Sequence, residues 1–438
     1  MRGRSSPSAG DGSRSSSGAC RARRVGSSGR TSFTDGKSAR GHPAPGYDAH
    51  KSGEVEIFTR IGHSPASGRA LCGERAHVVQ DGDVCHDGRV IDPDIRSART
   101  LPASFYRDPA VFEQVRERVF ARSWQLVLDA EQAGQPGSLL PFSFLGDCVD
   151  EPLLLARDES GTLRALSNVC THRGNLLCTK AETCAAHLRC RYHGRRFALD
   201  GRFLSMPEFE GVRDFPSRAD DLPRVQLGQL GPLVFAALEP AVSFEEWIAP
   251  VRKQMAFLPL EKLVPDASGS RTYQVAASWA LYCDNYLEGF HVPYVHAALA
   301  KTIDYGTYRT ELFGWSSLQV AEAAAAADAF EGSSLAACYF FLFPNTMLNF
   351  YPWGLSINVV VPLAVDRTRI VYRALVLDPA KRGRGAGGDL DRVEHEDEEI
   401  VEQVQRGVRS RLYDRGRYSP AREAGVHHFH RLLTRLAG

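Results

Sequence analysis

The sequence predicts an α+β protein made of two successive blocks, the first all-β and the second mixed around an antiparallel sheet. Three observations carry this. Over residues 125–239, short apolar runs alternate with turn residues. After residue 239, helical patterns at 244–257 and 279–299 give way to strand-like runs at 338–343, 346–351, 355–363 and 369–377. A long helical stretch at 390–412 then follows the strands, the order expected of an α+β domain.

Length and charge bound the rest. The 438 residues exceed one small domain, and a hydrophobic fraction of 43% supports a sizeable core. A net charge of +1 gives no footing for nucleic acid or a charged membrane patch. The longest apolar stretches, such as 357–365, fall short of the roughly 20 residues of a membrane-spanning helix. The ten cysteines include four within 170–190, interleaved with histidines, which points to a metal site in a reducing cytoplasm rather than to a disulfide scaffold.

Taken in order, residues 1–91 form a Ser-, Gly- and Arg-rich extension too poor in apolar side chains to offset its chain entropy. An organelle transit leader and an upstream start codon both fit this composition. Cys72, Cys85 and His86 lie there without a fourth well-spaced ligand. Residues 92–124 form a leading segment that packs on the later block. In it, Asp108-Pro109 reads as an N-cap followed by proline in the first turn, and Val111, Val115 and Val119 share one face of a helix ending near Trp124. Residues 125–239 form the β block, with a hairpin turning at Asp158-Glu159-Ser160-Gly161. Residues 240–438 form the mixed block, interrupted by a Gly-rich loop at 382–388. Gly383-x-Gly385-x-x-Gly388 matches a dinucleotide fingerprint in spelling but lacks the βαβ setting, so it reads as a surface loop.

The sharpest motif is Cys170-Thr171-His172, seventeen residues, then Cys190-Arg191-Tyr192-His193. Two thiolates for one iron and two imidazoles for the other are what a Rieske [2Fe–2S] centre requires. Gly174 and Gly194 follow, where a missing Cβ permits close backbone approach. A Cys₂His₂ zinc site is the rival, although C-x-H is tight for it. Cys184-Ala185-Ala186-His187 competes for the second pair; Cys190 and His193 are preferred on their Tyr-His-Gly context, leaving Cys178 and Cys184 as packing cysteines.

A second constellation runs from Asp284 to His296. His291 and His296 stand about 140° apart on an ideal helix, so a shared metal needs a kink, which Pro293 is placed to give. Glu288 lies one turn before His291. A facial triad adds one carboxylate and leaves positions open for O₂ and substrate. The 390–412 helix offers Asp397 near the centre of a stripe of Val393, Ile400, Val401, Val404 and Val408, with Glu396 as the competing carboxylate and the other glutamates on a solvated face. Trp315, Tyr339, Phe340, Tyr351 and Trp353 are candidate pocket aromatics, equally consistent with core packing. The run His427-His428-Phe429-His430 suits a structural or surface role better than pocket hydrogen bonds.

Together these motifs resemble the α subunit of the Rieske non-haem iron (aromatic ring-hydroxylating) oxygenases over residues 92–438. Glu288 and its flanks are most similar to the choline monooxygenase and quaternary-ammonium branch. Arg195 stands where many members carry tryptophan. The resemblance implies a Rieske β-domain plus a helix-grip (START-like) catalytic domain. It implies cluster ligands Cys170, His172, Cys190 and His193, and mononuclear Fe(II) ligands His291, His296 and Asp397. It also implies that Glu288 links His291 to His193 of a neighbouring subunit in a homotrimer. Electrons would come from a separate flavin and iron–sulfur reductase, with a ferredoxin as a possible carrier and NAD(P)H used only indirectly. O₂ would be the co-substrate in hydroxylating or oxidatively demethylating a small molecule. The alternative is a non-catalytic Rieske electron carrier with an appended ligand-binding domain.

Overall fold

The computed structural model describes residues 90–437. The extension expected over 1–91, with Cys72, Cys85 and His86, therefore lies almost wholly outside the described residues. Helix α1 (Pro109–Arg118) begins as its sequence demands: the Asp108 side chain accepts the Ala110 N–H, and proline occupies the first turn. It ends earlier than its periodicity suggested, and a separate 3₁₀ turn at Phe120–Arg122 carries the chain on toward Trp124. Val115, Val119 and Phe120 are buried, and the Phe120 ring meets Trp279 edge-on at 4.7 Å, seating the leading segment on the mixed block.

The β block holds two antiparallel sheets. Strands β1 (Gln125–Leu126), β2 (Leu139–Phe144), β3 (Glu151–Arg157), β4 (Leu163–Ser167), β8 (Arg224–Leu230) and β9 (Leu233–Ala237) form a six-stranded sheet ordered β1-β9-β8-β4-β3-β2. The β3–β4 hairpin turns where Asp158 was expected to turn it, with the Asp158 carboxylate accepting the N–H groups of Ser160 and Thr162. Strands β5 (Leu188–Arg189), β6 (Arg196–Phe197) and β7 (Phe203–Ser205) form a small sheet beneath the cysteine loops.

After helix α2 (Phe244–Gln254) comes a seven-stranded antiparallel sheet ordered β10-β16-β15-β14-β13-β12-β11. Its strands are β10 (Val264–Val275), β11 (Ile303–Leu312), β12 (Ser316–Ala323), β13 (Leu335–Leu342), β14 (Thr346–Tyr351), β15 (Gly354–Ala364) and β16 (Arg367–Val376). The last four coincide with the strand-like runs read from sequence. The first three escaped because polar and exposed residues interrupt β10 and β11, both at the sheet edges. Helices α3 (Trp279–Tyr286), α4 (Val292–Val295), α5 (Leu390–Gly407) and α6 (Ala424–Ala437) complete the block. No helix among the described residues is long and apolar enough to cross a membrane.

Three expectations change here. The 279–299 helix is not one kinked rod: α3 ends at Tyr286 and α4 starts at Val292. Pro293 does not bend a helix but sits in the first turn of the second, where its missing N–H costs nothing. On α5, Val404 is 43% exposed, while Glu394 and Gln405 are buried beside Val401 and Val408. The buried face is thus partly polar, and Glu394 leaves the solvated face assigned to it. Cys178 is buried as expected of a packing cysteine, but Cys184 is exposed.

Candidate metal centres

The two cysteine loops fold as copies of one another. The Cys170 N–H donates to Asn175 O and the Cys190 N–H to Arg195 O, each five residues on. Gly174 N–H donates back to Cys170 O, and Gly194 N–H to Cys190 O, both at 3.0 Å. Both glycines have positive φ, +69° and +76°, which an L side chain resists. This repetition brings Cys170, His172, Cys190 and His193 together, with the imidazole centroids 4.8 Å apart. Burial pushes the Cys170 thiol up, and the adjacent Cys190 thiol adds to this. Burial together with His193, Arg173 and Arg195 lowers the pKa of His172.

One atom speaks to what the loops can hold. His193 Nδ1 is buried and has no hydrogen-bond partner among the described residues, a costly state that a metal bond would relieve. Two thiols, one facing imidazole and one orphaned ring nitrogen fit an iron–sulfur donor set. His187, the competing histidine, instead lies against Arg196 at 3.5 Å.

Asp220 latches both loops. Its carbonyl accepts Thr171 Oγ1 from the first loop at 2.8 Å, while its carbonyl and carboxylate accept Arg195 Nη2 from the second at 3.0 and 2.7 Å. The Arg195 side chain is 2% exposed, and its guanidinium lies 4.9–5.6 Å from the rings of Phe197, Phe203 and Phe215.

At the second site, His291 Nε2 and His296 Nε2 approach Asp397 Oδ1 at 3.6 and 3.0 Å. Donor atoms of these three residues all lie within 4.8 Å of one another, close enough to share a metal ion. The break between α3 and α4 makes this possible. One Glu288 oxygen accepts the backbone N–H groups of Phe290 and His291 in the turn before α4, and its other oxygen holds His291 Nδ1 at 2.8 Å. Glu396 holds His296 Nδ1 at 2.8 Å and is itself tied to Arg392. Carboxylates on both Nδ1 atoms turn both Nε2 atoms inward, the arrangement that orients metal-binding imidazoles. Glu396 thus sits on the outer side of His296 and Asp397 on the inner side. Burial opposes protonation of His296, but Asp397 and Glu396 outweigh it and raise its pKa. Asn285 Nδ2 donates to Asp397 Oδ1 at 2.6 Å, a contact not foreseen from sequence.

A pocket of about 800 Å³, counting its open mouth, adjoins these three residues. Tyr282, Tyr286, Tyr308, Tyr339, Tyr351 and Tyr372 line it, with Gln319, Asn349 and Asn358. Of the five aromatics proposed from sequence, Tyr339 and Tyr351 line it. Phe340 faces the other side of its strand and packs on Phe350; Trp353 stacks behind Tyr351; Trp315 packs on Phe343. The period-2 alternation of β13 separates Tyr339 from Phe340, while Trp315 and Trp353 lie in the turns between strands. Its signal in the sequence was the polar residue at alternate positions of apolar strands, as at Asn349, Ser356 and Asn358. The Gly-rich loop is less superficial than expected, since Ala386 lines the pocket. The terminal histidines are structural: His430 contacts Tyr106, Tyr418 and Asp284, and His427 contacts the Asp92 carbonyl.

Residues 123–216 match the Rieske [2Fe-2S] domain family and residues 266–438 the ring hydroxylating alpha subunit (catalytic domain) family. Choline monooxygenase, chloroplastic, of Arabidopsis thaliana is 32% identical over 363 residues, covering 78% of this chain and 84% of that protein. The carnitine monooxygenase oxygenase subunit of Escherichia coli K12 is 29% identical, covering 78% and 94%. A quaternary ammonium Rieske monooxygenase solved with L-carnitine shares the fold at TM-score 0.63 and 23% identity, over 80% of this chain and 97% of that one. Naphthalene 1,2-dioxygenase from Rhodococcus sp. does so at TM-score 0.60 and 17% identity, over 77% and 93%. On its sequence likeness across both domains, the chain belongs to the Rieske non-haem iron oxygenase α-subunit family and is an oxygen-incorporating oxidoreductase.

Proposed function

We propose that this protein is the terminal oxygenase of a multicomponent system that hydroxylates or oxidatively demethylates a small quaternary ammonium compound. The observation that carries the proposal is the inward convergence of His291 Nε2, His296 Nε2 and Asp397 Oδ1 beside a tyrosine-lined pocket whose wall, among the described residues, has no lysine or arginine. Aromatic faces hold quaternary ammonium groups by cation–π attraction, and an uncompensated cation in the wall would oppose it. An aromatic acid would find no cationic partner there.

In this reading Cys170 and Cys190 hold one iron of a [2Fe–2S] cluster, His172 and His193 the other, and His291, His296 and Asp397 hold a mononuclear iron. When bound, the cluster supplies single electrons and the ferrous ion supplies dioxygen activation. The chain's own groups do the rest. Glu288 and Glu396 fix the two imidazoles, Asn285 fixes the Asp397 carboxylate, and the tyrosines exclude water from the substrate. The net reaction is R–H + O₂ + 2 e⁻ + 2 H⁺ → R–OH + H₂O, with electrons from a separate flavin and iron–sulfur reductase, directly or through a ferredoxin.

Glu288 is proposed as the carboxylate link between His291 and His193 of a second copy in a homotrimer. Exposed aromatics at both ends support this: Tyr192 is 58% exposed and stacks on His193 at 3.7 Å, and Tyr294 is 82% exposed beside Phe290 and His291.

The test is iron content and coupled O₂ uptake with a reductase, screening quaternary amines against aromatic acids. The reading expects about three irons per chain, amine-dependent uptake, and an H291A variant that loses turnover but keeps the cluster spectrum. Two irons per chain, or full turnover in H291A, would refute it.

A further inference from the structure

We propose that Glu394 is the buried counter-ion through which the pocket recognises a cationic substrate. The proposal deepens the quaternary ammonium reading and rests on it.

Glu394 lies one helical turn before Asp397 and is 1% exposed. Its Oε2 accepts the hydroxyls of Tyr282, at 2.7 Å, and of Tyr372. Its Oε1 is buried and has no partner among the described residues. Tyr282 and Tyr372 both line the pocket, so the carboxyl stands one phenol behind the wall. The groups that face it are Tyr282 from α3, Tyr372 from β16, Tyr273 from β10, and Asp397 and Glu398 from its own helix; none of these is a cation.

A buried carboxylate with an unpaired oxygen and no cation is costly, and an apolar residue would fill the space at less expense. The pocket beside it is where a compensating cation can sit. A quaternary ammonium offers no hydrogen bond, so it can be chosen over a neutral molecule of the same shape only by charge and by aromatic faces. The arrangement supplies both. Phenols that donate to a carboxylate gain electron density in their rings, and the carboxylate's own field reaches the pocket through an interior that screens poorly.

Burial pushes the Glu394 carboxyl up to about 8, so near neutrality the empty pocket holds it protonated. A cation arriving in the pocket favours the ionised form. Binding therefore releases the Glu394 proton to solvent, and by linkage affinity for the cation rises with pH, by up to about tenfold per pH unit, until the carboxyl is already ionised.

The experiment uses the iron- and cluster-loaded protein under anaerobic, non-reducing conditions, so that no turnover occurs. Choline and its neutral isostere 3,3-dimethyl-1-butanol are titrated calorimetrically across pH in buffers of different ionisation enthalpy. The expected result is choline binding with release of close to one proton and affinity climbing with pH, against pH-independent binding of the isostere. E394Q should abolish the proton release, weaken choline binding by about tenfold at the high-pH plateau and leave the isostere unchanged. Proton release that persists in E394Q, or pH-independent choline binding by the wild type, overturns the role of Glu394 while leaving the substrate reading intact. If E394Q does not fold, the wild-type comparison of choline with its isostere decides alone. Failure of choline, carnitine and tetramethylammonium to bind at any pH would sink the substrate reading and this proposal with it.

Discussion

Asp220→Asn should cost the cluster domain about 3 kcal/mol, whereas Arg195→Met should cost only about 1 kcal/mol, although each removes half of the same ion pair. The asymmetry comes from where the two charges sit. The Arg195 side chain is 2% exposed inside three phenylalanine rings, whereas that of Asp220 is 19% exposed. Losing the carboxylate charge leaves a buried guanidinium without a counter-charge, held by the backbone carbonyl at 3.0 Å, while the single amide oxygen of asparagine must serve where two carboxylate oxygens served Arg195 and Ser217. Losing the guanidinium leaves a carboxylate that still accepts the Ser217 N–H at 2.7 Å and can draw on solvent, while methionine keeps much of the packing against Phe203. Thermal unfolding followed by the visible absorbance of the loaded cluster should show a drop of roughly 10 °C for D220N against roughly 3 °C for R195M. The pH dependence has a definite sign. Burial raises the Asp220 pKa, but the Ser217 N–H and Arg195 more than offset this and hold it below the usual carboxylate range. A depressed carboxyl stabilises the fold fully above its unfolded pKa of about 4 and loses that contribution as pH falls through the folded value. The gap between wild type and D220N should therefore be flat near neutrality and close in acid. An R195M variant as unstable as D220N, or a gap that widens in acid, would refute the reasoning.

Three further outcomes are expected. Glu396→Ala frees His296 Nδ1 and should weaken iron binding at the catalytic site by about 10- to 100-fold in chelator competition, leaving the cluster spectrum intact; unchanged affinity would count against its orienting role. Cys170→Ser should lower iron from about three to about one per chain, and a variant that keeps its visible spectrum would exclude that thiol from the cluster. A Cβ at Gly289 would meet Tyr308 Cζ at 2.4 Å, so Gly289→Ala should displace a ring of the substrate wall. About 1–3 kcal/mol of stability should be lost and KM should rise more than kcat falls; an unchanged KM and Tm together would contradict the packing described.

What the amino-acid sequence determined by itself was whatever depends on neighbours along the chain. Cys170 and His172, and Cys190 and His193, are close because only one or two residues separate them, and Asp108-Pro109 starts a helix through local hydrogen bonding. Buried central strands such as β14 and β15 announced themselves as apolar runs. What only the tertiary structure decided was whatever depends on groups far apart in sequence. Edge strands β10 and β11 take their partners from the sheet rather than from an apolar pattern. Helix α5 hides Glu394 and Gln405 because each finds a hydrogen-bond partner far off in sequence: Tyr282 of α3 donates to Glu394, and Gln405 donates to the carbonyl of Tyr106, in the 3₁₀ turn Ala103–Tyr106 that precedes α1. Which nitrogen of His296 faces Glu396 and which faces Asp397 turned on a rotation of about 100° around one helix, a difference without meaning until His296 is folded against it. Composition carries no information about which residues of α5 meet His296, because the contact joins groups far apart along the chain, His296 to Glu396 and Asp397.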